Sequence, residues 1–120
     1  MEFIEAPAFS RHYREYLSED EYRLLQERLA ANPTAGDLMP GTGGFRKVRW
    51  ADPRRNKGRR GGLRLIYYYF SADWQIWLMT IYDKSEMADL SAAEKKALRE
   101  AVAAETRTRT SAKARRQRGK

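Results

Sequence analysis

Apolar residues recur along this chain at two different spacings, which predict helices in its first third and strands further on. Residues 3–4 begin a short apolar stretch, which indicates a first strand. A short helix is predicted over residues 10–17. A second helix begins at Ser18, which with Glu21 has the spacing of a capping box. It is expected to end at the Asn-Pro pair of residues 32–33.

Beyond a loop predicted by the Pro and Gly residues of 33–44, the alternation becomes that of β-strands. Three strands are predicted, over residues 45–50, 63–70 and 74–82. A last helix begins at Ser91, which forms a second capping box with Glu94. The order β-α-α-β-β-β-α predicts an α+β fold, with two N-terminal helices and a C-terminal helix around a central antiparallel β-sheet. With helices on one face of the sheet, the other face is expected to be polar and open to a ligand.

The length and composition fit one folded domain. The chain has 120 residues, of which 42% are hydrophobic, so a core is feasible. Its apolar runs fall short of the roughly 20 residues that span a bilayer, and its first residues lack the pattern of a secretory signal. It has no cysteine, which excludes disulfides and cysteine-based zinc sites. We therefore expect a cytoplasmic protein with no membrane partner.

The positive charge of the chain is concentrated in two segments. The net charge is +8, yet residues 46–64 hold nine basic residues and one acid, and residues 105–120 hold seven and one. The rest of the chain is therefore acidic, a distribution that indicates binding to a polyanion. Residues 1–104 are predicted to form the domain and residues 105–120 a basic, disordered tail. The alternative interpretation of that tail is a solubilising segment without a ligand.

The central basic segment is predicted to bring several cations together on one phosphate. Arg64 lies at the start of the second predicted strand of the sheet, and Lys84 follows the last strand. Such an arrangement suits RNA cleavage, because attack of a 2′-hydroxyl on its own 3′-phosphate builds negative charge on the nonbridging oxygens. Lysine stabilises the same charge or moves a proton. Tyr82 is either a residue that stacks on a base or an aromatic residue of the core.

The sequence thus offers two groups of candidate site residues. The catalytic candidates are Arg64, Lys84, Lys57 and Tyr82. The candidates for RNA binding are Lys47, Arg49, Arg54, Arg55, Arg59 and Arg60. The alternative interpretation of the cluster is a solvated loop without a ligand.

Most other chemistries lack their residues. The one histidine, His12, lies in a predicted helix far ahead of the basic segment and is expected to be a surface or packing residue. The sequence has no metal-ligand cluster, and Gly41-Thr-Gly-Gly lacks the Lys-Ser/Thr ending of a nucleotide-binding loop. The residues Trp50, Trp74 and Trp77 are expected to pack in the core or the hairpin. We therefore predict no metal and no cofactor.

Three stretches carry a combination of motifs that spans most of the chain. They are LSEDEYRLLQERLAANPTAGDLMPGTGGFRKVRW, KGRRGGLRLIYYYF and LMTIYDKSEMADLSAAEKKAL, which extend from residue 17 to about residue 98. The joint occurrence of GTGG-F-RK-R, KG-RGG-R-IYY and TIY-K-E-M-DL resembles the RelE superfamily of bacterial toxins, and within it the HigB-like branch.

The resemblance implies a toxin of a toxin–antitoxin module with a RelE-like α+β fold. It also implies metal-independent endoribonuclease activity on messenger RNA in the decoding site of the ribosome. The 2′-hydroxyl route leaves a 2′,3′-cyclic phosphate or 3′-phosphate and a 5′-hydroxyl. The implied partners are the mRNA, the ribosome with its 16S rRNA, and a HigA-like helix-turn-helix antitoxin.

The resemblance also bears on individual residues. Arg64, in GGLRLIYY, matches the strand arginine that stabilises the transition-state phosphate in the family, and Lys84, in IYDKSE, falls at another basic position. The other basic positions of the family are matched more loosely, by Lys47, Arg49, Lys57 and Arg59. The C-terminal tyrosine of RelE corresponds to Leu90 here, so Tyr82 or a lysine is the candidate for its role. The alternative function is a noncatalytic RNA- or ribosome-binding protein with the same fold, because charge alone does not separate the two.

Overall fold

The computed structural model describes residues 1–50, 62–85 and 89–118. Its elements follow the order β1 (Glu2–Glu5), α1 (Pro7–Tyr16), α2 (Glu19–Ala31), β2 (Asp37–Leu38), β3 (Arg46–Trp50), β4 (Leu63–Phe70), β5 (Gln75–Asp83) and α3 (Ala92–Arg118). The predicted α+β class is confirmed, and β4 has the predicted bounds. One element was not predicted, the two-residue strand β2 within the Pro- and Gly-rich loop.

Five strands of the described residues form one sheet, in the order β1-β5-β4-β3-β2. The pairs β3–β4 and β4–β5 are antiparallel, as predicted, and the unpredicted β2 is antiparallel to β3. In contrast, β1 pairs with β5 in parallel, with Phe3 opposite Ile76. A parallel pair requires a long connection between its strands, and here α1, α2 and the three middle strands provide it. The β4–β5 hairpin turns through residues 71–73, after which Trp74 has a left-handed φ of 54°.

One face of the sheet, which we call the helix face, packs against α1 and α2. The helices contribute an aromatic group in which the rings of Phe9 and Tyr13 are stacked, with centroids 5.3 Å apart, and Tyr22 tilts against both. The sheet contributes Val48, Leu63, Leu65, Tyr67, Ile76, Leu78 and Ile81. Burial of these apolar side chains is the main favourable contribution to the folding of the sheet with α1 and α2.

Local sequence signals set the ends of the two N-terminal helices. A proline occupies the first turn of α1, where its missing N–H is not needed. At the start of α2, Ser18 and Glu21 form the predicted capping box, with the Glu21 N–H donating to Ser18 Oγ at 3.2 Å. Both helices are tied to β1 through Glu5, which accepts hydrogen bonds from Tyr22 Oη at 2.6 Å and Ser10 Oγ at 2.7 Å. Burial and the bond to Glu5 raise the pKa of Tyr22.

The loop that carries β2 is held to the centre of the sheet by Tyr67. The hydroxyl of this fully buried residue donates to the Pro33 carbonyl at 2.8 Å and accepts from the Gly36 N–H at 3.0 Å. From the next strand, Arg46 donates to the Gly36 carbonyl at 2.8 Å. A tyrosine of the core thus fixes a segment without regular secondary structure.

The chain divides into two compact units, and the second consists of residues 40–44 with the residues from 90 onward. Within it, the turn 40–44 packs against α3. Gly43 has a φ of +79°, and a Cβ added there would lie 3.1 Å from Val102 Cγ1. Arg99 Nη1 donates to the Gly41 carbonyl at 3.3 Å. Glycine is therefore needed at position 43 both for its backbone conformation and for this close approach.

Helix α3 begins as predicted and continues further than predicted. The capping box is present, with the Glu94 N–H donating to Ser91 Oγ at 3.1 Å. A disordered tail was predicted from residue 105, whereas the helix extends to Arg118. Once a helix is nucleated, each added residue costs little, and Arg109 Nε bonds Glu105 Oε1 at 3.0 Å, one turn earlier. The domain boundary at residue 104 stays a prediction. None of the helices in the described ranges is both long and apolar enough to span a membrane.

Candidate functional site: a basic row across the sheet

The second face of the sheet, which we call the Arg64 face, carries a row of three polar residues. The β3–β4 register places Arg49 opposite Arg64, and the β4–β5 register places Tyr82 opposite Arg64 on its other side. Residues directly opposite each other on neighbouring strands have their side chains on the same face. Arg49, Arg64 and Tyr82, which we call the arginine row, therefore point to one side across three adjacent strands.

The arginine row is only partly open to solvent. Arg49 is exposed, whereas Arg64 and Tyr82 are each 3% exposed. Further along the same face, Ile66 is completely buried. The prediction of an open, polar second face is therefore wrong for its middle strand. A tyrosine ring that is buried to this degree does not present a face on which a base stacks in this conformation.

The guanidinium of Arg64 is bound by backbone carbonyls. Its Nη1 donates to the Gly62 carbonyl at 3.0 Å and to the Leu63 carbonyl at 3.3 Å. Among the described residues, no carboxylate forms an ion pair with it. A buried cation that is held by neutral acceptors has a strong electrostatic preference for an added anion. This combination of burial, positive charge and an adjoining arginine marks a candidate anion site.

Lys84 lies at the same end of the sheet as the arginine row. Its backbone N–H donates to the Gly62 carbonyl at 3.4 Å, and its side chain is exposed. The turn that places it is fixed by Asp83, which is buried and accepts from both the N–H and the hydroxyl of Ser85, at 2.8 and 2.7 Å. The backbone of Lys84 and the guanidinium of Arg64 thus share the Gly62 carbonyl oxygen as an acceptor.

The row next to the arginine row contains Lys47, Ile66 and Thr80. Lys47 Nζ lies 3.5 Å from Asp89 Oδ1, with side-chain exposures of 27% and 69%. Neither Thr80 nor Asp89 was predicted as a site residue. The alternation along β5 from Tyr82 would have indicated Thr80, but no local signal relates Asp89 to a lysine 42 positions earlier.

The far end of the Arg64 face is aromatic rather than basic. Phe45 packs edge-on against Tyr68, with ring centroids 5.3 Å apart, and Trp77 tilts against Phe45 and Phe70. This confirms the predicted packing role of Trp77. The basic side chains of this face therefore lie at its other end, where β3 ends and β4 begins.

The remaining candidates lie outside the described residues, and His12 lies on a helix. The described residues do not include Lys57 or the predicted binding residues Arg54, Arg55, Arg59 and Arg60. His12 is exposed on α1, where its Nδ1 is 3.5 Å from Glu15 Oε1, as expected for a surface residue. Within the ranges that the structure describes, no group of three His, Cys, Asp or Glu residues is arranged to hold a metal ion.

The Lys47–Asp89 pair gives a first testable prediction. We expect Asp89→Asn to raise the affinity for a short RNA by up to about five-fold at low salt, since exposed pairs contribute up to about 1 kcal/mol. The physical reason is that the lysine no longer has a competing carboxylate. Fluorescence anisotropy with a labelled oligonucleotide measures it. The matched control is Asp20→Asn, which removes an exposed acid paired with Arg23 on α2. An equal rise in both variants would contradict a specific role for Asp89.

Comparison with known proteins gives two similar structures. No family model matches the chain. The chain is similar to the isolated RelE toxin of E. coli, with 16% identity, a TM-score of 0.47, and coverage of 82% of this chain and 96% of that chain. It is also similar to a chain of the intact RelBE toxin–antitoxin complex of E. coli, with 14% identity, a TM-score of 0.49, and coverage of 68% and 94%. Both are RelE-system proteins, and the HigB-like branch stays a prediction.

Proposed function

We propose that this chain is the toxin of a toxin–antitoxin module, a RelE-superfamily endoribonuclease that cleaves mRNA on the ribosome. The three sequence motifs that resemble the HigB-like branch support the assignment. In this proposal the protein acts in the cytoplasm, and an antitoxin of the helix-turn-helix type neutralises it.

The observation that carries the proposal is the state of Arg64. It is a buried cation without an ion pair to any described carboxylate, it lies beside Arg49 and Tyr82, and Lys84 follows at the same end of the sheet. A stability role would favour an acidic partner for such a residue. A phosphate in the scissile position would instead receive donors from the planar guanidinium fork.

The chemistry needs no group beyond the RNA and the side chains. The 2′-hydroxyl oxygen attacks the adjacent phosphorus, a P–O2′ bond forms and the P–O5′ bond breaks. The proton of the 2′-hydroxyl goes to a base, and the leaving 5′-oxygen takes up a proton. Arg64 stabilises the two nonbridging oxygens as charge develops on them. Lys84, Lys57 and Tyr82 are the candidates for the remaining charge stabilisation and proton transfer.

Induction of the chain in bacteria tests the proposal. We expect growth arrest within one generation and new RNA 5′-hydroxyl ends in translated messages, because the 2′-hydroxyl route leaves that end. Sequencing of ligated 5′-hydroxyl ends before and after induction measures the effect, with untranslated RNAs of the same cells as the internal control. A chain that is present and folded, yet yields no new 5′-hydroxyl ends, would not be this enzyme.

A second candidate function is noncatalytic binding to RNA or the ribosome, and one observation favours it. Arg64 is 3% exposed and already bonded to two carbonyls, which is not the state of a donor presented to a substrate. Sedimentation of the chain with ribosomes without any new RNA ends would favour this binder over the nuclease.

A further inference from the structure

The C-terminal half of α3 is a basic helix without an apolar side that packs it. Residues 105–118 contain six basic residues and one acid, and none of them is a large apolar residue. The segment is nevertheless helical throughout. At a rise of 1.5 Å per residue it extends about 20 Å. A helix that is polar on all sides bridges other parts of a protein through solvent, is stabilised by ion pairs one turn apart, or is unstable by itself.

The one acid of residues 105–118 lies at the start of this segment. Glu105 pairs with Arg109, at 3.0 Å between Oε1 and Nε. Arg107, Arg115 and Arg116 are exposed, and none of these three forms an ion pair with a described residue. Their guanidinium groups therefore remain available to an external anion.

Repulsion among these cations acts against the helix itself. Arg109 and Lys113 are four residues apart, and Lys113 and Arg116 are three apart, so like charges are neighbours on the helix surface. The segment is also rich in Thr, which has a modest helix propensity. A polyanion along the helix would remove the repulsion and stabilise the helical state. The helical conformation therefore favours binding of closely spaced phosphates, and that binding in turn stabilises the helix.

We propose that residues 105–118 of α3 form a second RNA-binding element, which contacts the phosphate backbone of structured RNA without reading its sequence. Arg107 and Arg115 are central to it, because eight residues apart they lie within about 80° of each other around the helix axis. Arginine suits this role, since its planar fork matches phosphate oxygens. This inference does not depend on cleavage, because backbone binding needs neither the arginine row nor the ribosome.

The test uses the full chain and an RNA hairpin whose riboses carry 2′-O-methyl groups, so that cleavage by the 2′-hydroxyl route cannot occur. We expect Arg107→Gln with Arg115→Gln to weaken binding and to reduce the salt slope, d log K/d log[salt], by about two units in magnitude. Titrations at four salt concentrations, followed by anisotropy, measure the slope. Circular dichroism checks that the variant remains folded.

The matched control carries Arg11→Gln with Arg23→Gln, which removes two exposed arginines from α1 and α2. It should leave the slope within the error of the wild type. An equal loss in both variants would show a net-charge effect and overturn the proposal. Unchanged RNA binding by the α3 variant, with lost binding to polyglutamate, would also overturn it, because the partner would then be an acidic protein. If induction of the chain in bacteria yields no mRNA cleavage, the conclusion from this binding test stays the same.

Discussion

Replacement of Arg64 by alanine is expected to lower the rate of mRNA cleavage by a factor of about 10² to 10³, the usual effect of removing one transition-state donor. The proposed reaction concentrates negative charge on the phosphate as the 2′-oxygen attacks, and alanine offers no donor in its place. We expect the growth arrest to disappear with the cleavage. The measurement is single-turnover cleavage of an mRNA on purified ribosomes, with the yield of 5′-hydroxyl ends as the readout.

The bonds that Arg64 forms in the free protein are consistent with this role. Both acceptors of Nη1 are neutral carbonyls, of Gly62 and Leu63. Hydrogen bonds to a charged oxygen are roughly twice as strong as neutral ones, so a phosphate would compete well for the same guanidinium. Gly62 would keep a partner if the side chain turned away, because its carbonyl also accepts from the Lys84 N–H. We therefore expect a change of side-chain conformation on substrate binding rather than a change of the strand.

Two further variants separate charge from geometry. Arg64→Lys keeps the positive charge and loses the planar fork, so its activity should be intermediate. Arg11→Ala removes one charge from the exposed surface of α1 and should leave cleavage unchanged. Thermal unfolding of each variant establishes that it is folded. A folded Arg64→Ala protein that still arrests growth would refute the role of this residue.

The sequence predicted those parts of the fold that depend on neighbouring residues. Both capping boxes, at Ser18 and Ser91, are local patterns and are confirmed at their positions. The bounds of β4 followed from an unbroken run of aromatic and β-branched residues. The parallel pairing of β1 with β5 was not predictable, because it joins residues about 70 positions apart. The two-residue strand β2 was missed since it exists only through its pairing with β3.

The candidate site, like the fold, was predictable only where it depends on residues that are close together in the sequence. Alternation along a single strand is enough to place Lys47 and Arg49 on a common face. The lateral alignment of Arg49, Arg64 and Tyr82 required the register of three strands. The burial of Arg64 and the contact of Lys47 with Asp89 depend on tertiary packing, which no sequence pattern contains.

A stability prediction concerns the hydroxyl of Tyr67. We expect Tyr67→Phe to lower the free energy of unfolding by about 1–3 kcal/mol, because a buried N–H of Gly36 loses its acceptor and the Pro33 carbonyl loses its donor. The ring is retained, so no cavity forms and the loss reports the hydroxyl alone. Urea unfolding followed by circular dichroism measures it, with an unchanged m-value as evidence that two-state unfolding persists.

Tyr69→Phe is the matched control, since Tyr69 lies two residues along the same strand on the same face. Its hydroxyl makes no hydrogen bond to a described residue, so the expected change is within about 0.5 kcal/mol. A loss of equal size in the two variants would show that Tyr67 does not hold the loop through its hydroxyl.

The pH dependence gives Tyr67 a second, independent readout. Burial raises the pKa of Tyr67, while the Gly36 N–H and the charge of Arg46 act in the opposite direction. The unfolded chain releases the tyrosine proton near pH 10, before the folded chain does. The contribution to stability is therefore fully present below about pH 10 and is lost as the pH rises above it. Tyr67→Phe should flatten the alkaline decline of stability. If this variant declines as steeply as the wild type above about pH 10, then Tyr67 is not the group whose protonation stabilises the fold.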